Sequence, residues 1–256
     1  MKTRGRKRII VLGLAALVAF VGLVCAALFL NFVRVPTGSM MNTILPGDCL
    51  VANLLFSRIE RGDVVIFRFP GDPSTRFVSR VIGLPGETIR YDAASRKILI
   101  NGNELAETRI FVEPRFDNDD PSALKPIGSS EATARGQWSA YYYQAEPGDG
   151  SLDDSMAGFA VAEPYRIPVK GNDLPDQLKR DPKLSRVYDA NQDGRYDDDQ
   201  YFVFGDNRDN ALDGRFWGTV PRGSITAKAL MVYWSVARDG SGKSTIRWDR
   251  LFSKVR

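Results

Sequence analysis

The chain contains no histidine. That absence excludes a Ser-His-Asp triad, a Cys-His dyad and any histidine-ligated metal centre, so a general base has to be lysine, aspartate, glutamate, tyrosine or a terminal amine. Cysteine is nearly as scarce: Cys25 falls in an apolar run and Cys49 beyond it, which leaves the portion after the run one thiol and no internal disulfide. Acidic residues are missing from positions 1–30, where Lys2, Arg4, Arg6, Lys7 and Arg8 supply five positive charges. The rest of the chain holds 30 lysines and arginines against 31 acids, so the basic balance is an N-terminal feature. With no basic stripe interleaved with aromatics elsewhere, nucleic acid is not expected as a partner.

What is present begins with Ile9 to Leu30, 22 residues without a charge. At about 1.5 Å per residue this run covers a hydrocarbon core of roughly 30 Å. A cleavable signal peptide would have a shorter apolar region, roughly 7–15 residues, followed by a small-residue cleavage site. The sequence therefore predicts an uncleaved transmembrane anchor at 9–30. Its basic flank, 1–8, lies in the cytoplasm, and residues after about 31 lie outside the plasma membrane.

Beyond the anchor, short β-rich stretches dominate: 63–69, 76–82, 88–91, 97–100, 201–204 and 225–236. Turn signals separate them, including Pro85-Gly86 and the hairpin-favouring pair Asn101-Gly102. No 3.6-residue period persists long enough for a major helix, so the expected fold class is mainly β. Between 115 and 200 the composition changes. That stretch has seven of the 14 prolines and 17 acids against 10 basic residues, which predicts an insertion splitting one core into 31–114 and 201–256.

Four motifs follow the anchor in order: Pro36-Thr-Gly-Ser39-Met-Met-Asn-Thr-Ile44; Gly62-Asp63; Phe77-Val-Ser-Arg-Val-Ile-Gly-Leu-Pro-Gly86; and Gly205-Asp-Asn-Arg-Asp-Asn-Ala-Leu-Asp-Gly-Arg-Phe-Trp-Gly218. Together they resemble bacterial signal peptidase I, a membrane-anchored serine endopeptidase family. The resemblance covers everything except about 115–200. It implies a signal peptidase I-type β core with an inserted subdomain behind one transmembrane helix. It further implies cleavage of signal peptides from exported precursors after small residues, at the outer face of the bacterial inner membrane, without a catalytic cofactor. The signal peptides and the lipid bilayer are the implied partners.

Residue by residue, Ser39 matches the family's nucleophile, and Thr37 with the Ser39 N–H matches its oxyanion hole. Asp206, Asn207, Arg208, Asp209, Asp213 and Arg215 match a site-shaping network, with Arg80 expected to pair with Asp206 and Arg215 with Asp213. The strand from Val78 to Ile82 is implied to contribute to the substrate groove. The family's general base is a lysine one residue before the Arg-Val-Ile-Gly run, and here that position is Ser79. Ala211 stands where the family has a serine that hydrogen-bonds the lysine, and Asn42 where it usually has proline. Arg80 cannot be the base, because guanidinium stays protonated. Three explanations stay open: a pseudo-protease that binds without cutting, another lysine or carboxylate reaching Ser39, or a deliberate substitution. Lys97 is the nearest lysine in sequence, and a solvated strand lysine is its commoner reading.

The insertion carries a separate pattern at 189–200. Asp189, Asn191, Asp193 and Asp197 occupy oxygen-ligand positions of a calcium loop, Gly194 its turn and Arg195 its backbone-carbonyl position, although Gln200 replaces the closing glutamate. A weak structural Ca²⁺ site and a solvated acidic turn both fit. The segment Ala237 to Ser244 has a relaxed phosphate-loop spacing but reads as a hairpin turn, since no helix follows it. Ser122 and Lys125 share a Ser-x-x-Lys spacing between two prolines and are discounted. Tyr141, Tyr142 and Tyr143 predict a strand with an aromatic face. Exposed apolar residues near Met40 and Met41 would let the domain rest on the bilayer, and their exposure is not read from sequence.

Overall fold

A computed structural model describes residues 30–92, 95, 97–113, 123–127, 131–132, 138–143, 163–238 and 241–255, with 12–14, 17–18 and 22 near the N-terminus. Nearly all of the anchor expected at 9–30, and all of its flank at 1–8, lie outside these residues. Among the described residues no helix is long and apolar enough to cross a membrane.

Sixteen strands are defined among the described residues. They are β1 (Leu30–Arg34), β2 (Asp48–Asn53), β3 (Val64–Phe69), β4 (Asp72–Gly83), β5 (Thr88–Asp92), β6 (Lys97–Ile100), β7 (Asn103–Glu104) and β8 (Thr108–Val112). Then come β9 (Glu131–Ala132), β10 (Ser139–Tyr143), β11 (Tyr165–Arg166), β12 (Gln200–Phe204), β13 (Val220–Pro221), β14 (Ile225–Arg238), β15 (Ser244–Ile246) and β16 (Ser253–Lys254). Beyond residue 30 the α-helices among the described residues are short, at Asp176–Arg180, Pro182–Tyr188 and Gly214–Trp217, so the expectation of a mainly β chain agrees with the structure.

The main sheet runs β1-β2-β14-β3-β4-β12-β13, with β15 and β16 also paired to β14. A smaller sheet runs β11-β5-β6-β7 and a third β10-β8-β9. Asn101 and Gly102, at φ 52° and 81°, make the tight turn between β6 and β7, where two positive φ values suit this pair. The return from β14 to β15 is likewise a hairpin, as Val236 faces Ile246 across it.

The run Tyr201-Phe-Val-Phe204 is apolar at every position because β12 is covered on both faces. Alternation sends Phe202 and Phe204 into one core with Ile82, Ile89, Trp138 and Ile167. It sends Tyr201 and Val203 into another with Val65, Phe67, Val81 and Ile225. Each such side chain stabilises by roughly 1.5–3 kcal/mol when fully buried, so β4 and β12 are held firmly between two cores. Ser79 and Arg80, adjacent on β4, consequently face opposite ways.

Candidate active site

Pro36 ends β1, and the chain then bends through a helix-like turn in which the Met41 N–H donates to Gly38 O (3.0 Å) and the Ile44 N–H to Met40 O (2.8 Å). Ser39 opens this turn. Two bonds from Asn207 fix it: the backbone N–H donates to Ser39 O (3.0 Å) and Nδ2 donates to Gly38 O (3.0 Å). Gly205 permits the approach, because a Cβ there would lie 2.6 Å from Ser39 O and 2.4 Å from Ala211 Cβ.

Met40 and Met41 are buried rather than exposed, so they cannot form a bilayer-resting surface. Met40 packs with Val35, Ile44 and Leu50, and its sulfur accepts from the Asp206 N–H. Asn42, in the family's proline position, ties the turn to residue 124: Nδ2 donates to Leu124 O (2.9 Å) and Oδ1 accepts from the Leu124 N–H.

Behind the turn lies a layer of buried charge. Arg80 donates from Nε and Nη2 to the two oxygens of Asp206 (2.8 and 2.6 Å) and from Nη1 to Gly62 O (2.7 Å). Thr43 Oγ1 donates to the same carboxylate (2.6 Å). Arg215 binds Asp213, whose Oδ2 also accepts from the Gly205 N–H. Both expected pairs are thus present.

Arg208 forks onto Glu107 at 3.0 and 2.6 Å and meets the Tyr142 hydroxyl at 2.9 Å. Burial alone would lower the Arg208 guanidinium, but Glu107 outweighs it and holds it well above its ordinary value. Burial pushes the Tyr142 phenol far up, so it stays protonated and donates to Glu107 (2.9 Å). Asp209 accepts from the Tyr143 N–H (2.7 Å), docking β10 onto the loop. Glu107 lies in no motif and Thr43 was not singled out within its own, so neither contact was expected; their partners lie 101 and 163 residues away.

In front of Ser39 opens a cavity of about 600 Å³. Ser39, Thr37, Ser79 and Ala211 all line it, so the structure brings together the residues expected as nucleophile and oxyanion donor and both substituted positions. Two continuous stretches frame it, 33–37 and 75–79. The groove-lining part of β4 therefore ends at Ser79: Val81 and Ile82, expected to contribute, are buried in the two cores instead. Among its described lining residues the ionisable side chains are Arg34 and Arg76. Lys97 is elsewhere, half-exposed on β6 and paired with Glu104 at 2.8 Å.

The calcium-like segment stands apart from this cavity. Asp189 accepts from the Asp193 and Gly194 N–H groups, Asn191 from the Asp193 N–H, Asp193 from the Arg195 N–H, and Asp197 from the Ala190 N–H. The oxygens cap their own turn, and among the described residues no cluster of three acidic or thiol side chains could hold a metal. The acidic-turn reading therefore fits better than the Ca²⁺ site at 189–200. Adding Ca²⁺ and then EDTA should leave the melting temperature and the calorimetric baseline unchanged; a reversible rise would restore the metal reading.

A family model described as "Signal peptidase, peptidase S26" matches residues 6–234. The chain belongs to that family. It is a signal peptidase I-type serine endopeptidase, a hydrolase whose family needs no cofactor for catalysis. Signal peptidase I of Pseudomonas fluorescens is 29% identical over 243 residues, covering 85% of this chain and 69% of that protein. Signal peptidase I of Aquifex aeolicus is 29% identical over 223 residues, covering 78% and 74%. The crystal structure of a signal peptidase I from Enterococcus faecalis matches at 20% identity with a TM-score of 0.30, over 68% of this chain and 98% of that one.

Proposed function

We propose that this signal peptidase family member cuts signal peptides from exported precursors after small residues, with Ser39 as nucleophile. The observation that carries this reading is the cavity itself. Residues 76–79 of β4 pair with β3 on one side, whereas β12 reaches only Arg80, Val81 and Gly83 on the other. That leaves a strand edge along the cavity, and an extended peptide can add to such an edge through backbone hydrogen bonds. Laid there, its scissile carbonyl meets Ser39 at one end of the groove. Ser39 Oγ attacks, and the Ser39 N–H and the Thr37 hydroxyl hold the developing oxyanion, where losing one donor costs about 2.7–4 kcal/mol.

Among the described residues the cavity lining has no lysine or carboxylate. The proton of Ser39 then passes to solvent, and hydrolysis is slow. The uncharged run 9–30 anchors the chain with its basic flank in the cytoplasm, so the active domain faces the emerging precursors outside the membrane. We also propose that 115–200 is an insertion in the core formed by 31–114 and 201–256.

The same missing base is the ground for a second reading, a membrane-anchored binding or scaffold protein on this fold, which the family relatives do not favour. Incubating the purified full chain with a preprotein, beside Ser39→Ala, separates the two. Slow cleavage after a small residue, lost in Ser39→Ala, is the expected result. Cleavage that persists in the variant overturns Ser39 as nucleophile, and none by either protein supports the scaffold.

A further inference from the structure

Arg68 and Arg76 stand directly opposite each other across β3 and β4. Directly opposed residues of an antiparallel pair share a face, and like charges so placed repel. Both are exposed, and neither has an ion-pair partner among the described residues. Asp72, the acid of the hairpin tip, is already occupied: it accepts from Ser74 Oγ, Thr75 Oγ1 and the Ser74 N–H, bonds that hold its carboxyl below the usual range.

Strand register places this pair at one particular end of the main sheet. Leu30 faces Asn53, Asn53 faces Lys228 and Lys228 faces Val65, so these four form one row across β1, β2, β14 and β3. From Leu30 the chain climbs β1 to Arg34, whose row holds Cys49 and Trp234, and β14 climbs the same way from Lys228 to Trp234. β3 is antiparallel to β14 and descends from Val65. Arg68 therefore lies three residues, or roughly 10 Å, past the Leu30 row, on the side from which the chain enters β1. The uncharged run 9–30 ends at that row.

We propose that Arg68 and Arg76 form a headgroup site for anionic phospholipids and dock the β3–β4 hairpin on the bilayer. This rests on the reading of 9–30 as a membrane anchor. A phosphate between the two guanidinium groups relieves their repulsion and accepts paired N–H donors. Basic side chains held next to a membrane span are drawn to anionic lipid through the surface potential. Arg76 also lines the cavity, so the docked hairpin holds that part of the groove beside the membrane from which precursors emerge.

The test reads hairpin contact separately from anchoring. The full chain with Cys25→Ser, Cys49→Ser and Pro73→Cys carries an environment-sensitive dye at position 73, and is reconstituted into vesicles of phosphatidylcholine alone or mixed with phosphatidylglycerol. Flotation with both vesicle types after an alkaline carbonate wash is the sign of the anchor. Dye emission should report lipid contact in the phosphatidylglycerol vesicles. The docked-to-free ratio should fall about fivefold for Arg68→Gln or Arg76→Gln and roughly 25-fold for the two together. High salt should weaken the contact, and Arg90→Gln, on β5, should leave it unchanged. Equal or absent contact with the two vesicle types, or contact that survives loss of both arginines, overturns the headgroup site while the anchor stands. The same dye response to inorganic phosphate without vesicles overturns the lipid as its occupant. Protein that floats with neither vesicle type overturns the anchor reading and this inference with it.

Discussion

Ser79→Lys combined with Ala211→Ser should accelerate preprotein cleavage by about 10²–10⁴-fold, the contribution typical of a positioned general base. Ser79 is 4% exposed and lines the same cavity as Ser39, so a lysine rooted there starts within the site. About 600 Å³ of open volume can receive its longer side chain. Burial disfavours the charged amine, and Arg34 and Arg76 disfavour it again, so both effects move the lysine pKa downward toward the neutral form that accepts a proton.

Ala211 lines the cavity too, and a hydroxyl there would orient the amine. Ser79→Lys alone should therefore gain far less than the pair, while Ala211→Ser alone should gain nothing. Initial rates of the parent, both single variants and the double variant decide the matter across a pH series. The double variant should gain an inflection at the depressed lysine pKa that the parent lacks. A double variant no faster than the parent would sink the idea that the missing lysine limits this enzyme. A single lysine variant as fast as the double would show that the two substitutions are not coupled.

How far the molecule could be read from sequence follows from the range of each interaction. Strands such as β6 and β12 appear as local apolar runs between turn residues, and their bounds match expectation within a residue. β2 was not recognised: Asp48-Cys-Leu-Val-Ala-Asn53 is short, polar at both ends and strand-like only through its pairing with β1 and β14. The meeting of Ser39 with Ser79 was legible because a long ordered set of motifs carried it. The buried contacts were legible where both partners sat in motifs, as for Arg80 and Asp206. They were not where one partner was an isolated acid, as for Glu107 with Arg208. Met40 and Met41 show what apolarity alone leaves undecided: next to a membrane run it fits lipid contact as well as a core, and the structure buries both under the turn around Ser39. The groove was misplaced along β4 because strand membership alone does not say where β12 stops pairing.

Asp206→Ala should lower stability by about 3–5 kcal/mol, because it strands a guanidinium that has no route to water. Arg80 and Asp206 are 1% and 0% exposed and share two hydrogen bonds. The loss also frees Thr43 Oγ1, which donates to the same carboxylate, so the turn carrying Ser39 loosens as the core weakens. For a domain of this size each kcal/mol moves the melting temperature by roughly 2–4 °C, so a fall of roughly 6–20 °C is expected. Replacing both partners, as Arg80→Met with Asp206→Leu, removes the stranded charge and should recover much of that loss. The double variant should nonetheless cut or bind peptide poorly, since the side-chain links that join Arg80 and Thr43 to Asp206, beside the turn that carries Ser39, are then lost. Thermal unfolding of the two single variants and the double variant reads the first part, and peptide binding reads the second. A single variant within 1 kcal/mol of the parent, or a double variant less stable than both single variants, would show that this ion pair is not what holds the turn in place.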